Sequence, residues 1–172
     1  MLKKLSAWAL LLGLAPLAAH ADDSLVQFKG GIGVIPVSSG VGAAATAEVV
    51  NRNIARGVQP PGQPWVISAL NAQVRTDGSI EVRGRGLLLA GGNGVGGTGG
   101  QSVFATLICE AAAPFVLHNT TLSGVLLAPN GDFTIEDVLS PPPPTPCASP
   151  VLLIRNVAAG AWFAAGIPDL ED

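Results

Sequence analysis

Few residues in this 172-residue chain carry reactive or metal-ligating chemistry, and their spacing matches few active sites. Histidine occurs at His20 and His118. His20 falls in a leader segment described below, so a Ser-His-Asp relay would have to use His118, and no G-x-S-x-G elbow accompanies it. One usable histidine excludes multi-histidine metal centres. A site of two cysteines and that histidine would need Cys109 and Cys147 to stay reduced. The role left to His118 is packing in, or exposure on, a loop between Phe115 and Asn119.

Two carboxylates are enough for glycoside hydrolysis, and Glu81, Glu110, Asp132, Glu136 and Asp137 are the candidates. Asp132 follows a turn signal, and Glu136-Asp137 close an apolar run, which is the placement of solvated acids. Sugar hydrolases also present aromatic platforms, whereas Tyr is absent from the chain. Trp65 and Trp162 each begin an apolar run and read as core or core edge. No D-x-[DN]-x-[DN]-G calcium loop is present. An exported hydrolase using His118 or a carboxylate pair therefore stands as an alternative, not as the leading expectation.

Gly92-Asn93-Gly94-Val95-Gly96-Gly97 matches the G-x-G-x-x-G pattern, in which glycines let the backbone approach a pyrophosphate at the start of a helix. The following segment contains Val103, Thr106 and Ile108 and reads as strand, so the required βαβ unit is missing. No acid suited to a ribose lies about 20 residues on. Seven glycines within Gly91–Gly100 match many patterns by chance, and a surface loop is expected here. No cofactor and no metal are expected.

The N-terminus sets the compartment in which this chemistry is to be judged. Lys3-Lys4, an apolar run from Leu5 to Ala18, and Ala19-His20-Ala21 reproduce the three parts of a secretory signal cleaved after Ala21. The apolar run is shorter than the ~20 residues of a membrane span, and no lipid-accepting Cys follows the cleavage site. Residues 1–21 are thus expected to be a bacterial-type signal peptide and residues 22–172 a single exported domain, periplasmic or secreted. In an oxidising compartment, Cys109 and Cys147 are expected to be joined as a disulfide. Removing Lys3 and Lys4 from the nine basic residues leaves seven against twelve acidic, a net charge of −5. Such a balance offers no footprint for nucleic acid or anionic lipid.

Charged residues make up 12% of the chain, with 22 Gly and 14 Pro, while Val, Leu and Ile are plentiful. This is the composition of many short strands joined by tight turns. The clearest element runs from Trp65 to Ala90. A three-residue loop Thr76-Asp77-Gly78 pairs Val74 with Ile80, Ala72 with Val82 and Val66 with Leu88, all on one apolar face. Gln73 then opposes Glu81, and Asn71 opposes Arg83. Gly78 takes the positive-φ position of the turn. Pro129-Asn130-Gly131 predicts a second hairpin, with Leu127 opposite Phe133 and Val125 opposite Ile135. Ala158-Ala159-Gly160 predicts a third, with Asn156 opposite Trp162 and Ile154 opposite Ala164. Val26–Val37 reads as a strand interrupted at Gly30-Gly31, Ile54–Val58 as a strand, and Ser102–Glu110 as a strand covered on both sides. Pro141–Pro146 is a stiff connector. Ser38–Ala47 is small-residue material with no clear period, and Ala43–Asn51 takes no assignment, since a helix over Ala43–Arg56 is opposed by its β-branched residues.

About eight or nine short strands with little helix define an all-β fold, an antiparallel two-sheet sandwich or a closed barrel, with the sandwich favoured. The polar face of the first hairpin gathers Asn71, Gln73, Arg75, Arg83 and Arg85, with Glu81 among them. Three of the seven basic residues outside the leader meet there. Arginine forks suit carboxylate or sulfate groups, which makes this face the candidate partner-binding site. The functional expectation is a non-enzymatic exported domain with a binding, envelope or extracellular structural role. Its partner would be a protein or acidic polymer of the envelope or extracellular space, with no nucleic acid and no membrane span. A secreted inhibitor or immunity-type protein is a further alternative, since loops carry that function.

Overall fold

The computed structural model describes residues 23–41 and 49–169. The expected signal peptide lies outside the described residues, as does most of Ala43–Asn51. Thirteen strands and no helix are found among the described residues. They are β1 (Ser24–Gly33), β2 (Val37–Val41), β3 (Val49–Arg52), β4 (Trp65–Val66), β5 (Ala69–Arg75), β6 (Ser79–Arg85) and β7 (Leu88–Leu89). The second half contributes β8 (Ser102–Ile108), β9 (His118–Asn119), β10 (Val125–Leu126), β11 (Phe133–Val138), β12 (Val151–Asn156) and β13 (Trp162–Pro168).

Nine strands form one antiparallel sheet in the order β10-β8-β12-β13-β1-β5-β6-β11, with β9 also pairing β8. The sheet curls almost onto itself, the barrel alternative. Its two margins meet twice. Asn119 and Ser140 exchange backbone hydrogen bonds of 2.9 and 2.8 Å, and Ala128 donates to the Asp132 carbonyl across a turn. Two small two-stranded sheets, β2–β3 and β4–β7, complete the fold.

The β5–β6 hairpin has the register its sequence predicts: Val74 faces Ile80, Ala72 faces Val82, Gln73 faces Glu81 and Asn71 faces Arg83. Leu70, Val74, Ile80 and Val82 are buried in the core. Val66 does pair with Leu88, but Val66 is 50% exposed, while Trp65 and Leu89 are buried instead. Gly86 at φ 62 lies between β6 and β7, and the break there swaps which alternate residues face inward.

The other hairpins depart further from expectation. The Pro129-Asn130-Gly131 turn forms, yet β10 pairs with β8 and β11 with β6, so Val125 faces Val103 and Ile135 faces Val82. A local turn dictates a reversal, but the neighbouring ladders claim the strands. In the third hairpin Ile154 does face Ala164, but a bulge sets Arg155 opposite Trp162 and joins Asn156 to Ala161. Gly78, Gly131 and Gly160 share positive φ, the turn chemistry that made all three legible. Ile54–Val58 is a tight reversal rather than a strand: Ala55 and Val58 hydrogen-bond each other across Arg56-Gly57, both at positive φ.

β8 is covered on both faces, as its apolar run predicts: all its residues from Val103 to Ile108 are buried. Cys109, just after β8, is joined to Cys147 with their Cα atoms 4.8 Å apart. Trp65 is 4% exposed and stacks on Phe163 at 3.9 Å between centroids. Among the described residues, no helix is long and apolar enough to cross a membrane.

Candidate functional site

The pairing of β1, β5, β6 and β11 brings the polar side chains into rows. Lys29 faces Asn71, Asn71 faces Arg83, and Arg83 faces Thr134. One step along the strands, Gln27, Gln73, Glu81 and Glu136 form a second row. Alternation sends the residues between them, Phe28, Ala72, Val82 and Ile135, into the core, so both rows stand on the outer face. A shallow hollow of about 200 Å³ lies over this face, lined by Gln27, Lys29, Asn71, Gln73, Glu81 and Arg83.

Three of the five residues singled out from the sequence, Asn71, Gln73 and Arg83, line this hollow, and Arg75 and Arg85 stand at the ends of their strands. Arg75 donates to the Ser79 hydroxyl at 3.5 Å. Arg85 lines an adjoining hollow with Arg83, Asp132 and Thr134. The face is a charge mosaic: Arg83 pairs with Glu81, and Lys29 with Asp169. Exposed pairs such as Arg83–Glu81 are worth about 0–1 kcal/mol, so an arriving anion displaces that pair at small cost.

The reactive residues sit elsewhere, in structural roles. His118 is in β9, not a loop, and is 3% exposed. Its Nδ1 lies 2.7 Å from the Pro141 carbonyl oxygen, while Nε2 is buried without a hydrogen-bond partner. No serine or threonine hydroxyl therefore meets it. Asp132 accepts from the Gly86 N–H at 3.0 Å and from the Asn130 amide at 2.9 Å. Glu110 accepts from the Val116 N–H, which holds its carboxyl below the usual range. At Asp137, burial pushes the pKa up but is outweighed by hydrogen bonds from Thr121 and Val138, so the net shift is down. A general acid of a glycosidase needs the opposite shift. Among the described residues, no three His, Cys, Asp or Glu side chains gather as a metal site.

The glycine loop folds back on its own strand: Gly96 donates to the Leu89 carbonyl and Leu89 to the Gly97 carbonyl. β8 follows it, not a helix, so the phosphate-binding context is absent there. Two arginines not singled out from the sequence, Arg56 and Arg155, line a separate hollow. The Arg56-Gly57 pair was the available signal, because Gly after a polar residue is turn chemistry, but Arg155 has no local signature. Comparison with models of protein families, with curated proteins and with solved structures finds no match to this chain.

Proposed function

We propose that the chain is an extracytoplasmic, non-enzymatic binding domain that takes an acidic polymer along its outer sheet face. The observation that carries this reading is the Lys29–Asn71–Arg83–Thr134 row, four hydrogen-bonding side chains drawn from four different strands. Neighbouring strands are spaced about 4.8 Å apart, so the row extends about 14 Å. A linear polyuronate laid across the strands meets a donor at each step, with the arginine fork taking a carboxylate on two parallel N–H bonds. The rigid sheet fixes the spacing, and the Cys109–Cys147 bond suits the oxidising compartment that the leader implies.

The test is retention of the protein on alginate beads at low and at moderate salt. Arg83→Ala with Arg85→Ala should weaken retention most at low salt, where charge is least screened. Both side chains are exposed, so the melting temperature should hardly move. Full retention of the folded double variant retires this face. Export is checked separately: N-terminal sequencing of the fractionated protein should begin at Asp22.

A further inference from the structure

Arg56 and Arg155 lie 99 positions apart in the chain, yet they line the same hollow of about 410 Å³ with Gln59, Phe115, Leu117 and Gly160. Each guanidinium is held in place by neutral groups. Arg56 donates to the Ser149 hydroxyl at 2.8 Å and lies over the Phe115 ring, 5.6 Å from its centroid. Arg155 donates to the Gly160 carbonyl at 2.7 Å and to the Thr106 hydroxyl at 3.3 Å, over the Phe104 ring at 5.1 Å. Gly160, at φ 65, lies against the end of the Arg155 side chain, where a Cβ would come within 2.8 Å of Nη2.

Among the described residues neither arginine has a carboxylate partner; the ion pairs there are Lys29–Asp169 and Arg83–Glu81. Glu110, which precedes Phe115 on the same loop, is turned to the Val116 N–H. Arg155 is partly desolvated, and one Arg56 nitrogen, Nη1, is buried with no acceptor. Two under-solvated cations with no carboxylate partner among the described residues favour the arrival of an anion at this hollow.

We propose that this hollow binds a small organic dicarboxylate, one carboxylate on each guanidinium and the hydrocarbon body against Phe115 and Leu117. Its volume is in the range of small-molecule sites. Planar forks pair bidentately with carboxylates, and the aromatic rings beneath keep both forks oriented. The apolar wall separates this ligand from inorganic phosphate, which would leave Phe115 and Leu117 wet. The site is independent of the polar row on β5 and β6.

The experiment is a titration of ¹⁵N-labelled protein with adipate, then with inorganic phosphate, followed through the arginine Nε–H signals. Adipate should move the Arg56 and Arg155 signals saturably, and phosphate should not. Arg155→Gln should weaken adipate binding at least about tenfold. Ala159→Glu, an exposed change on the rim of the hollow, should do the same by supplying a tethered carboxylate. Ala158→Glu adds the same charge in the same turn but outside the lining, and should leave binding intact. The proposal is overturned by the absence of saturable shifts up to tens of millimolar adipate. It is equally overturned by phosphate binding as well as adipate, or by adipate binding that survives Ala159→Glu.

Discussion

Gly84 stands directly opposite Phe133 in the β6–β11 ladder, and the Phe133 ring fills the space that a Cβ on Gly84 would need. Both residues are buried, so the ring cannot swing into solvent. Gly84→Ala should therefore destabilise the fold by about 1–3 kcal/mol, the usual range for overpacking. Phe133→Leu removes the clashing ring atoms and should recover part of that loss in the double variant. Urea unfolding of the four proteins measures the coupling. A Gly84→Ala protein as stable as the parent would mean the ring is not there.

Gly78 has φ 84 at the end of the β5–β6 turn. A β-branched residue is strained at such an angle, and Gly78→Val should lose about 1 kcal/mol or more. Asp77→Asn should be nearly silent, because the amide oxygen can still accept the Ser79 N–H that Asp77 Oδ1 receives at 2.8 Å. Equal tolerance of the two changes in thermal melts would contradict the turn geometry.

Asp137 ties the last strand of the sheet to the segment after β9: its Oδ2 accepts the Thr121 N–H at 2.7 Å. Burial raises its pKa, but the hydrogen bonds from Thr121 and Val138 overcome that, and the folded value lies below the unfolded one. The sign follows: this stabilisation is present above the unfolded carboxylate pKa of about 3.9 and is lost as pH falls through the folded value. Melting temperatures should fall below about pH 4, and less steeply in Asp137→Asn than in the parent. Parallel curves for the two proteins would assign the acid sensitivity to other groups.

The bond between Cys109 and Cys147 closes a loop with a sequence separation of 38. On a chain-entropy account, its loss costs about 4 kcal/mol. The Cys109→Ala, Cys147→Ala protein should unfold at markedly lower denaturant than the parent. Alkylation of the denatured, unreduced parent should add no mass; two modified thiols would show the cysteines apart.

What the sequence determined by itself is local or compositional. Alternation of apolar and polar residues around Thr76-Asp77-Gly78 specified the β5–β6 register, since only one loop length keeps both faces consistent. The same alternation placed Asn71, Gln73, Arg83 and Arg85 on one side, and two cysteines in an otherwise thiol-free chain had each other as partners. Tertiary structure alone decided where strands went after their turns. Val125 and Ile135 flank a well-signalled reversal, yet pairing with Val103 on β8 and Val82 on β6 holds them apart, and the reversal becomes the seam at which the sheet margins meet. Inward orientation at Val66 was lost at Gly86, because a break in a ladder has no signature in alternation. The meeting of Arg56 with Arg155 was beyond reach for the same reason: a contact across 99 residues depends on strand order, and strand order is set by the packing of the whole sheet.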